Sequence, residues 1–118
     1  MNKHILVVDD DTDILDLVQT ILDYEGYLVH TSPSGSIFQH VQRALPDLIL
    51  LDVLLSEKDG RVLCLQLKIN ELTKNIPVIL FSAHVKKENA LDASHADDFL
   101  AKPFDIEELL SVVKKHLA

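Results

Sequence analysis

Leu48-Ile49-Leu50-Leu51-Asp52 is the stretch whose reading decides the fold of this chain. Four consecutive apolar residues stop at a carboxylate, and turn-forming residues then run on to Asp59-Gly60. A short continuous apolar run is the pattern of a strand covered on both faces, which is the situation of a strand inside a parallel sheet. Such a strand carries the residue at its C-terminal end to a fixed place at the sheet edge. Asp52 therefore reads as one carboxylate held rigidly at a crevice, a suitable nucleophile toward phosphorus.

The same grammar repeats on both sides. Ile5-Leu6-Val7-Val8 is a second buried strand, and it ends at Asp9-Asp10-Asp11. Ile14, Leu17, Val18, Ile21 and Leu22 follow at helical spacing, with Thr12 or Asp11 placed to cap the start and Gly26 placed after the end. Tyr27 to Thr31 reads as a strand of lower apolarity, suited to a sheet edge. Ile37, Val41, Ala44 and Leu45 form a second helical stripe that Pro46 terminates.

Beyond Gly60 a third helix carries Val62, Leu65, Ile69 and Leu72 on one face, with Leu63 and Leu67 beside them as a wider buried face or a partner patch. Val78 to Phe81 is the fourth strand, ending at Ser82. A weakly amphipathic fourth helix is expected from about Val85 to Ser94. Asp98 to Ala101 is a brief fifth strand ending at Lys102-Pro103, and the last helix starts near Asp105 with Glu108 set for a capping box. Five β-α units in alternation predict an α/β fold, a doubly wound five-stranded parallel sheet with helices on both faces. A closed barrel needs eight such units.

Bulk properties narrow the functional classes. The 118 residues suit one domain spanning 1–118, and 47% apolar with 25% charged residues is ordinary for a globular one. A net charge of −8, from 19 acidic and 11 basic residues, opposes direct binding to nucleic acid or to an anionic membrane. The one cysteine, Cys64, sits in the apolar run Val62-Leu63-Cys64-Leu65 and reads as a core thiol. The N-terminus shows no signal peptide, and no apolar run approaches the ~20 residues of a membrane span. A cytoplasmic location is the expectation.

The strand ends collect the chemistry: Asp9 and Asp10, Thr31, Asp52, Ser82 and Lys102. In open α/β sheets ligands bind just outside these ends. Three carboxylates brought together repel, and a hard divalent cation relieves the repulsion; oxygen ligands of this kind suit Mg²⁺, with Mn²⁺ as an alternative. Together with a hydroxyl and an ammonium the set suits phosphoryl transfer to an aspartate. For Asp11 and Asp13 a favourable charge at a helix N-terminus suffices. A calcium loop over Asp9-x-Asp11-x-Asp13 fails because Ile14 stands where a turn glycine belongs. Gly26, Gly35 and Gly60 build no phosphate loop.

The pieces Ile5-Leu6-Val7-Val8-Asp9-Asp10, Leu50-Leu51-Asp52, Val78-Ile79-Leu80-Phe81-Ser82-Ala83 and Lys102-Pro103-Phe104, in this order, resemble a bacterial two-component response-regulator receiver domain of the chemotaxis-regulator kind. The resemblance covers essentially the whole chain and implies a flavodoxin-like strand order 2-1-3-4-5. It implies that Asp52 accepts phosphate from a histidine kinase or a histidine phosphotransfer protein. Asp9, Asp10, Asp52 and the Leu54 backbone carbonyl would hold Mg²⁺, and Ser82 and Lys102 would bind the phosphoryl group. Phe99 falls at the aromatic switch position, although a Phe on a short strand also reads as core. The output would be a changed surface on the fourth helix, fifth strand and last helix, read by a downstream effector or by an output domain of a longer regulator. The domain would catalyse only its own phosphorylation and slow dephosphorylation.

Departures from the family pattern carry expectations too. Ser56 replaces a common proline four residues after the acceptor, which predicts a less rigid loop. His95 stands where a glycine is common, so a positive φ there would strain it. Leu54 and His84 flank the implied path of the hydrolytic water, and apolar Leu54 is expected to slow phosphate loss. Two rivals remain. One is a haloacid-dehalogenase-like phosphatase using Asp9 with Ser82, Lys102 and Asp97-Asp98; it leaves Asp52 without a task and puts Asp13 where Thr or Val belongs. The other is a phosphorylation-deficient scaffold, which the retained crest of polar residues opposes.

Overall fold

The computed structural model describes residues 2–33, 44–55, 58–83 and 94–117. The helix expected around Ile37 and Val41, the fourth helix apart from Ser94, and the positions of Ser56 and His84 lie outside the described residues. Five strands are found among the described residues: β1 (His4–Val8), β2 (Leu28–Ser32), β3 (Leu48–Asp52), β4 (Val78–Ser82) and β5 (Asp98–Ala101). Three helices are described: α1 (Thr12–Tyr24), α2 (Gly60–Ile69) and α3 (Ile106–Leu117). All strand pairs are parallel and the order is 2-1-3-4-5, as expected. Among the described residues no helix is long and apolar enough to cross a membrane.

Burial explains the order. Every residue of β3 and β4 is buried, as is every residue of β1 after His4, so the three most apolar runs fill the middle of the sheet. β2 and β5 are partly exposed and take the edges, where a strand meets fewer neighbours. Alternate residues of each strand point to opposite faces. Ile5, Val7, Leu50 and Phe81 meet Leu15, Val18 and Leu22 of α1 and Leu109 and Val113 of α3. Leu6, Val8, Leu51 and Leu80 meet Leu63, Cys64 and Leu67 of α2 on the other face. The described helices thus lie on both faces of the sheet.

Local capping matches the sequence. Asp11, rather than Thr12, is the N-cap of α1, its Oδ1 accepting from the Asp13 and Ile14 N–H groups at 3.0 and 3.4 Å. Gly26 follows the end of α1 at φ 94°. Asp105 and Glu108 form the reciprocal capping box, with bonds of 2.7 and 3.2 Å. His95 does adopt a positive φ, 59°, the backbone that disfavours a Cβ.

Two helix faces differ from expectation. In α1, Leu15 enters the core while Leu17 is half exposed. In α2 the expected stripe is only partly buried: Leu63, Cys64 and Leu67 enter the core, as the wider buried face and the core reading of Cys64 allowed, Leu65 is half-buried, and Val62 and Ile69, and Leu72 just beyond the helix, face solvent. Nearly every position of this helix except Arg61, Gln66 and Lys68 is apolar, so periodicity alone does not choose a face. The choice is made by Gly60, which lies against the Asp52 carbonyl. Residues three, four and seven positions on, namely Leu63, Cys64 and Leu67, share its side of the helix. Leu67→Ala is expected to cost about 2–5 kcal/mol in urea unfolding, and Ile69→Ala no more than about 0.5 kcal/mol. A larger cost at Ile69 than at Leu67 would mean the helix is turned the other way.

Candidate functional site

Because the strands run parallel and in register, their C-terminal ends form one crest. Val8 pairs with Leu51 and Ser32, Asp52 pairs with Phe81, and Ser82 pairs with Ala101. Asp9, Asp52, Ser82 and Lys102 thus come from four adjacent strand ends. Thr31 does not end β2 as expected; the strand continues to Ser32, whose carbonyl accepts from the Asp9 N–H at 3.1 Å.

Asp9 is fully buried and both of its oxygens are engaged. Oδ1 accepts from the Asp11 N–H at 2.9 Å, and Oδ2 accepts from Lys102 Nζ at 2.7 Å. The Lys102 ammonium lies 3.6 Å from Asp52 Oδ2 and 4.6 Å from the centre of the Phe81 ring. A carboxylate this deep requires a counter-charge, which accounts for the lysine sitting nearer to Asp9 than to Asp52. Asp52 itself is buried, and its Oδ1 accepts from the Leu54 N–H at 3.4 Å. Its carboxyl is pushed up from 3.8 to about 6: burial comes first and the negative charge of Asp9 second, while Lys102 and the Leu54 N–H pull it back only in part.

Asp9, Asp10 and Asp52 each present a carboxylate oxygen, and these oxygens lie within 4.8 Å of one another. Among the described residues the Lys102 ammonium is the cation that lies against Asp9 and Asp52. Hard oxygen donors in a cluster that raises a carboxyl's affinity for protons fit a hard divalent cation. Ser82 is buried at the end of β4, one residue past the partner of Asp52, and its carbonyl accepts from the Lys102 N–H at 2.9 Å. Phe99 is half-buried and packs against the core on the α2 face. Cys64 is buried and its thiol is raised to about 11, first by burial, as a core residue should be.

The loop after Asp52 is tied together on both sides of residues 56–57. Leu54 and Asp59 form an antiparallel bridge, and Leu55 and Lys58 exchange backbone bonds of 3.1 and 3.4 Å. The Gly60 N–H donates to the Val53 carbonyl at 2.7 Å. Asp59 caps α2 through the Arg61 N–H at 2.8 Å, and the Arg61 guanidinium clasps it at 2.7 Å, holding its carboxyl below the usual range through those hydrogen bonds. A hydrogen-bonded ladder thus closes the loop's base on either side of residues 56–57, which lie outside the described residues. Leu54 is 45% exposed at the rim of the crest.

The phosphatase arrangement does not assemble. Asp97 and Asp98 lie at the N-terminal edge of the sheet: Asp97 accepts from the Val78 N–H at 2.8 Å and pairs with Lys68, and Asp98 stands beside Ile79. They are at the opposite end of the strands from Asp9.

Residues 5–114 match the sequence profile of the response regulator receiver domain. The chain belongs to that family. Receiver domains of this family are signalling switches of two-component systems rather than metabolic enzymes. The receiver is 41% identical over 113 residues to the DNA-binding dual master transcriptional regulator RpaA of a Synechocystis strain, covering 93% of this chain and 47% of that protein. It is 35% identical over 109 residues to the response regulator SaeR of Staphylococcus aureus, again covering 91% and 47%. The chain thus spans about half the length of these curated relatives. Among solved structures it superposes with a TM-score of 0.90 and 33% identity on the receiver domain of a signal transduction histidine kinase from Syntrophus aciditrophicus, covering 98% and 89% of the two chains.

Two features of this receiver's site lie outside the sequence reading. Gly60 stands in the quoted Asp59-Gly60 pair, but its role as a spacer against the Asp52 carbonyl depends on a tertiary approach. Phe81 reads as an ordinary core residue, and its place under Lys102 becomes visible only when β4 and β5 are paired.

Proposed function

We infer that this chain is a phosphorylation-dependent switch that takes a phosphoryl group on Asp52. The observation that carries the reading is Asp52 itself, a carboxylate at the end of an entirely buried strand, 3.6 Å from a lysine ammonium and grouped with Asp9 and Asp10. Asp9 is a poorer nucleophile because both of its oxygens are already held. Asp52 Oδ2 lies farther from the Lys102 ammonium, at 3.6 Å, and is the less tightly held atom.

Asp52 attacks phosphorus of a phosphohistidine on a sensor kinase or a histidine phosphotransfer protein. The O–P bond forms as the N–P bond breaks, and the imidazole leaves with the electron pair and takes a proton from water. Lys102 and the Ser82 hydroxyl hold phosphoryl oxygens. Asp9, Asp10, Asp52 and the Leu54 carbonyl would hold Mg²⁺, which supplies charge neutralisation for the entering group. Water attack on phosphorus later breaks the Asp52 O–P bond and resets the switch, with Leu54 at the rim slowing that step. Engagement of Ser82 by the phosphoryl group biases Phe99 and the surface formed by β5, α3 and the segment that precedes them. That surface is read by an effector protein, or by an output domain where the receiver is part of a longer regulator, as in the roughly double-length relatives.

The test is incubation with a small phosphodonor and Mg²⁺, read by intact mass. Wild type is expected to gain one hydroxylamine-labile phosphoryl group, and Asp52→Asn none. An adduct that survives in Asp52→Asn but is lost in Asp9→Asn would move the nucleophile to Asp9. A wild type that takes no adduct would make the chain a scaffold receiver.

A further inference from the structure

Phe81 precedes Ser82 at the end of β4, and its ring is buried to 2% exposure in the core layer shared with α1 and α3. The Lys102 ammonium lies 4.6 Å from the centre of that ring. The ring is held from the side by Phe104, edge to face, with centroids 6.5 Å apart. Lys102 and its side chain are only 16% exposed, so the ammonium has exchanged most of its water for three neighbours: Asp9 at 2.7 Å, Asp52 at 3.6 Å and the face of Phe81. The negative face of an aromatic ring attracts a cation, and more strongly where water is excluded. Asp9 is a poor sole anchor for this lysine, because its charge is shared with any divalent cation on the crest. A ring face neither titrates nor ligates a hard metal.

We propose that Phe81 is a positioning residue whose ring face holds the Lys102 ammonium over the crest, where it meets the phosphoryl group on Asp52. This rests on the reading of Lys102 as a phosphoryl-binding cation. Without the ring, the four-carbon stem of Lys102 is free to carry the ammonium toward exposed Asp10 and solvent.

Two variants separate electrostatics from packing. Phe81→Leu keeps an apolar side chain and removes the π face. A ring-fluorinated phenylalanine at position 81 keeps the ring's shape and removes its negative face. The first measurement needs no phosphodonor and no metal: in wild type the Lys102 ε-methylene proton signals are expected upfield of those of the other lysines, shifted by the ring current, and Phe81→Leu returns them to the ordinary lysine position. The second is the rate of phosphorylation by a small donor with Mg²⁺, expected to fall about three- to tenfold in both variants while urea unfolding of the fluorinated protein stays at wild type. Ordinary Lys102 shifts in wild type overturn the proposal, and so do wild-type rates in both variants. If wild type takes no phosphoryl group at all, the reading of Asp52 fails, and the methylene shifts alone still decide whether Phe81 holds Lys102.

Discussion

Asp52→Asn is expected to take no phosphoryl group and to be more stable than wild type at neutral pH. An amide has no anionic oxygen to attack phosphorus, so the first half follows from the assignment of the acceptor. The second half follows from the carboxyl's environment. Folding raises this group from 3.8 to about 6, first through burial and then through the charge of Asp9. Below about pH 3.8 the carboxyl is protonated in both the folded and the unfolded chain and contributes nothing. Between there and about pH 6 the unfolded chain releases its proton while the folded chain keeps it, so stability falls as pH rises. Above that window both states are ionised, and the folded state is left less stable by on the order of 3 kcal/mol.

Asparagine cannot ionise and escapes this cost. Urea unfolding at about pH 4 should therefore give similar stabilities for the two proteins, and at pH 7.5 the variant should lead by about 2–3 kcal/mol. Mg²⁺ should raise the wild-type midpoint more than that of the variant, since a cation offsets the repulsion that the variant lacks. An Asp52→Asn protein no more stable than wild type at pH 7.5 would show that Lys102 already neutralises the site.

Gly60→Ala should be severely disruptive, although it adds a single methyl group. A Cβ at this position would stand 2.0 Å from the Asp52 carbonyl oxygen, 2.9 Å from its carbon and 3.0 Å from the Val53 Cα. All three atoms are backbone, and none is the end of a side chain that can swing away. The backbone must part, and the 2.7 Å bond from the Gly60 N–H to the Val53 carbonyl is lost with it. The cost is expected at the top of the overpacking range with a buried hydrogen bond added, about 3 kcal/mol or more.

Because the displaced carbonyl belongs to the acceptor residue, phosphorylation should also slow in conditions where the variant is still folded. Gly26→Ala is the control. Its φ of 94° strains any side chain, but nothing lies within 4 Å of the added Cβ, so a cost near 1 kcal/mol and an unchanged phosphorylation rate are expected. Equal costs at the two glycines would mean that the contact between α2 and the acceptor strand yields easily.

Much of this molecule was legible in the chain. Unbroken apolar runs ending at Asp9, Asp52 and Ser82 announced strands covered on both faces, and the strand-helix alternation announced a parallel sheet. A polar residue at a strand's C-terminal end can then point only to the crest, which is why single residues far apart in sequence could be grouped before any contact was seen. The capping box at Asp105 and Glu108 was legible because it is a local backbone event, whereas the positive φ at His95 was raised only as a condition, from a position where the family commonly has glycine.

Long-range choices were not legible. The apolar residues of α2 surround it so nearly completely that Val62, Ile69 and Leu72 were placed on the buried face beside Leu63, Cys64 and Leu67, and the same ambiguity put Leu17 in place of Leu15 in α1. The crest residues Asp9, Asp52, Ser82 and Lys102 were determined by the sequence, through the period of its apolar runs, whereas at the less apolar β2 the strand runs on past Thr31 to Ser32. Which way α2 turns was decided by the approach of Gly60 to the Asp52 carbonyl. Where the Lys102 ammonium rests was decided by a carboxylate 93 residues away and an aromatic ring on the neighbouring strand. Periodicity is a property of neighbours along the chain, whereas a steric stop or a counter-charge exists only once distant segments have met.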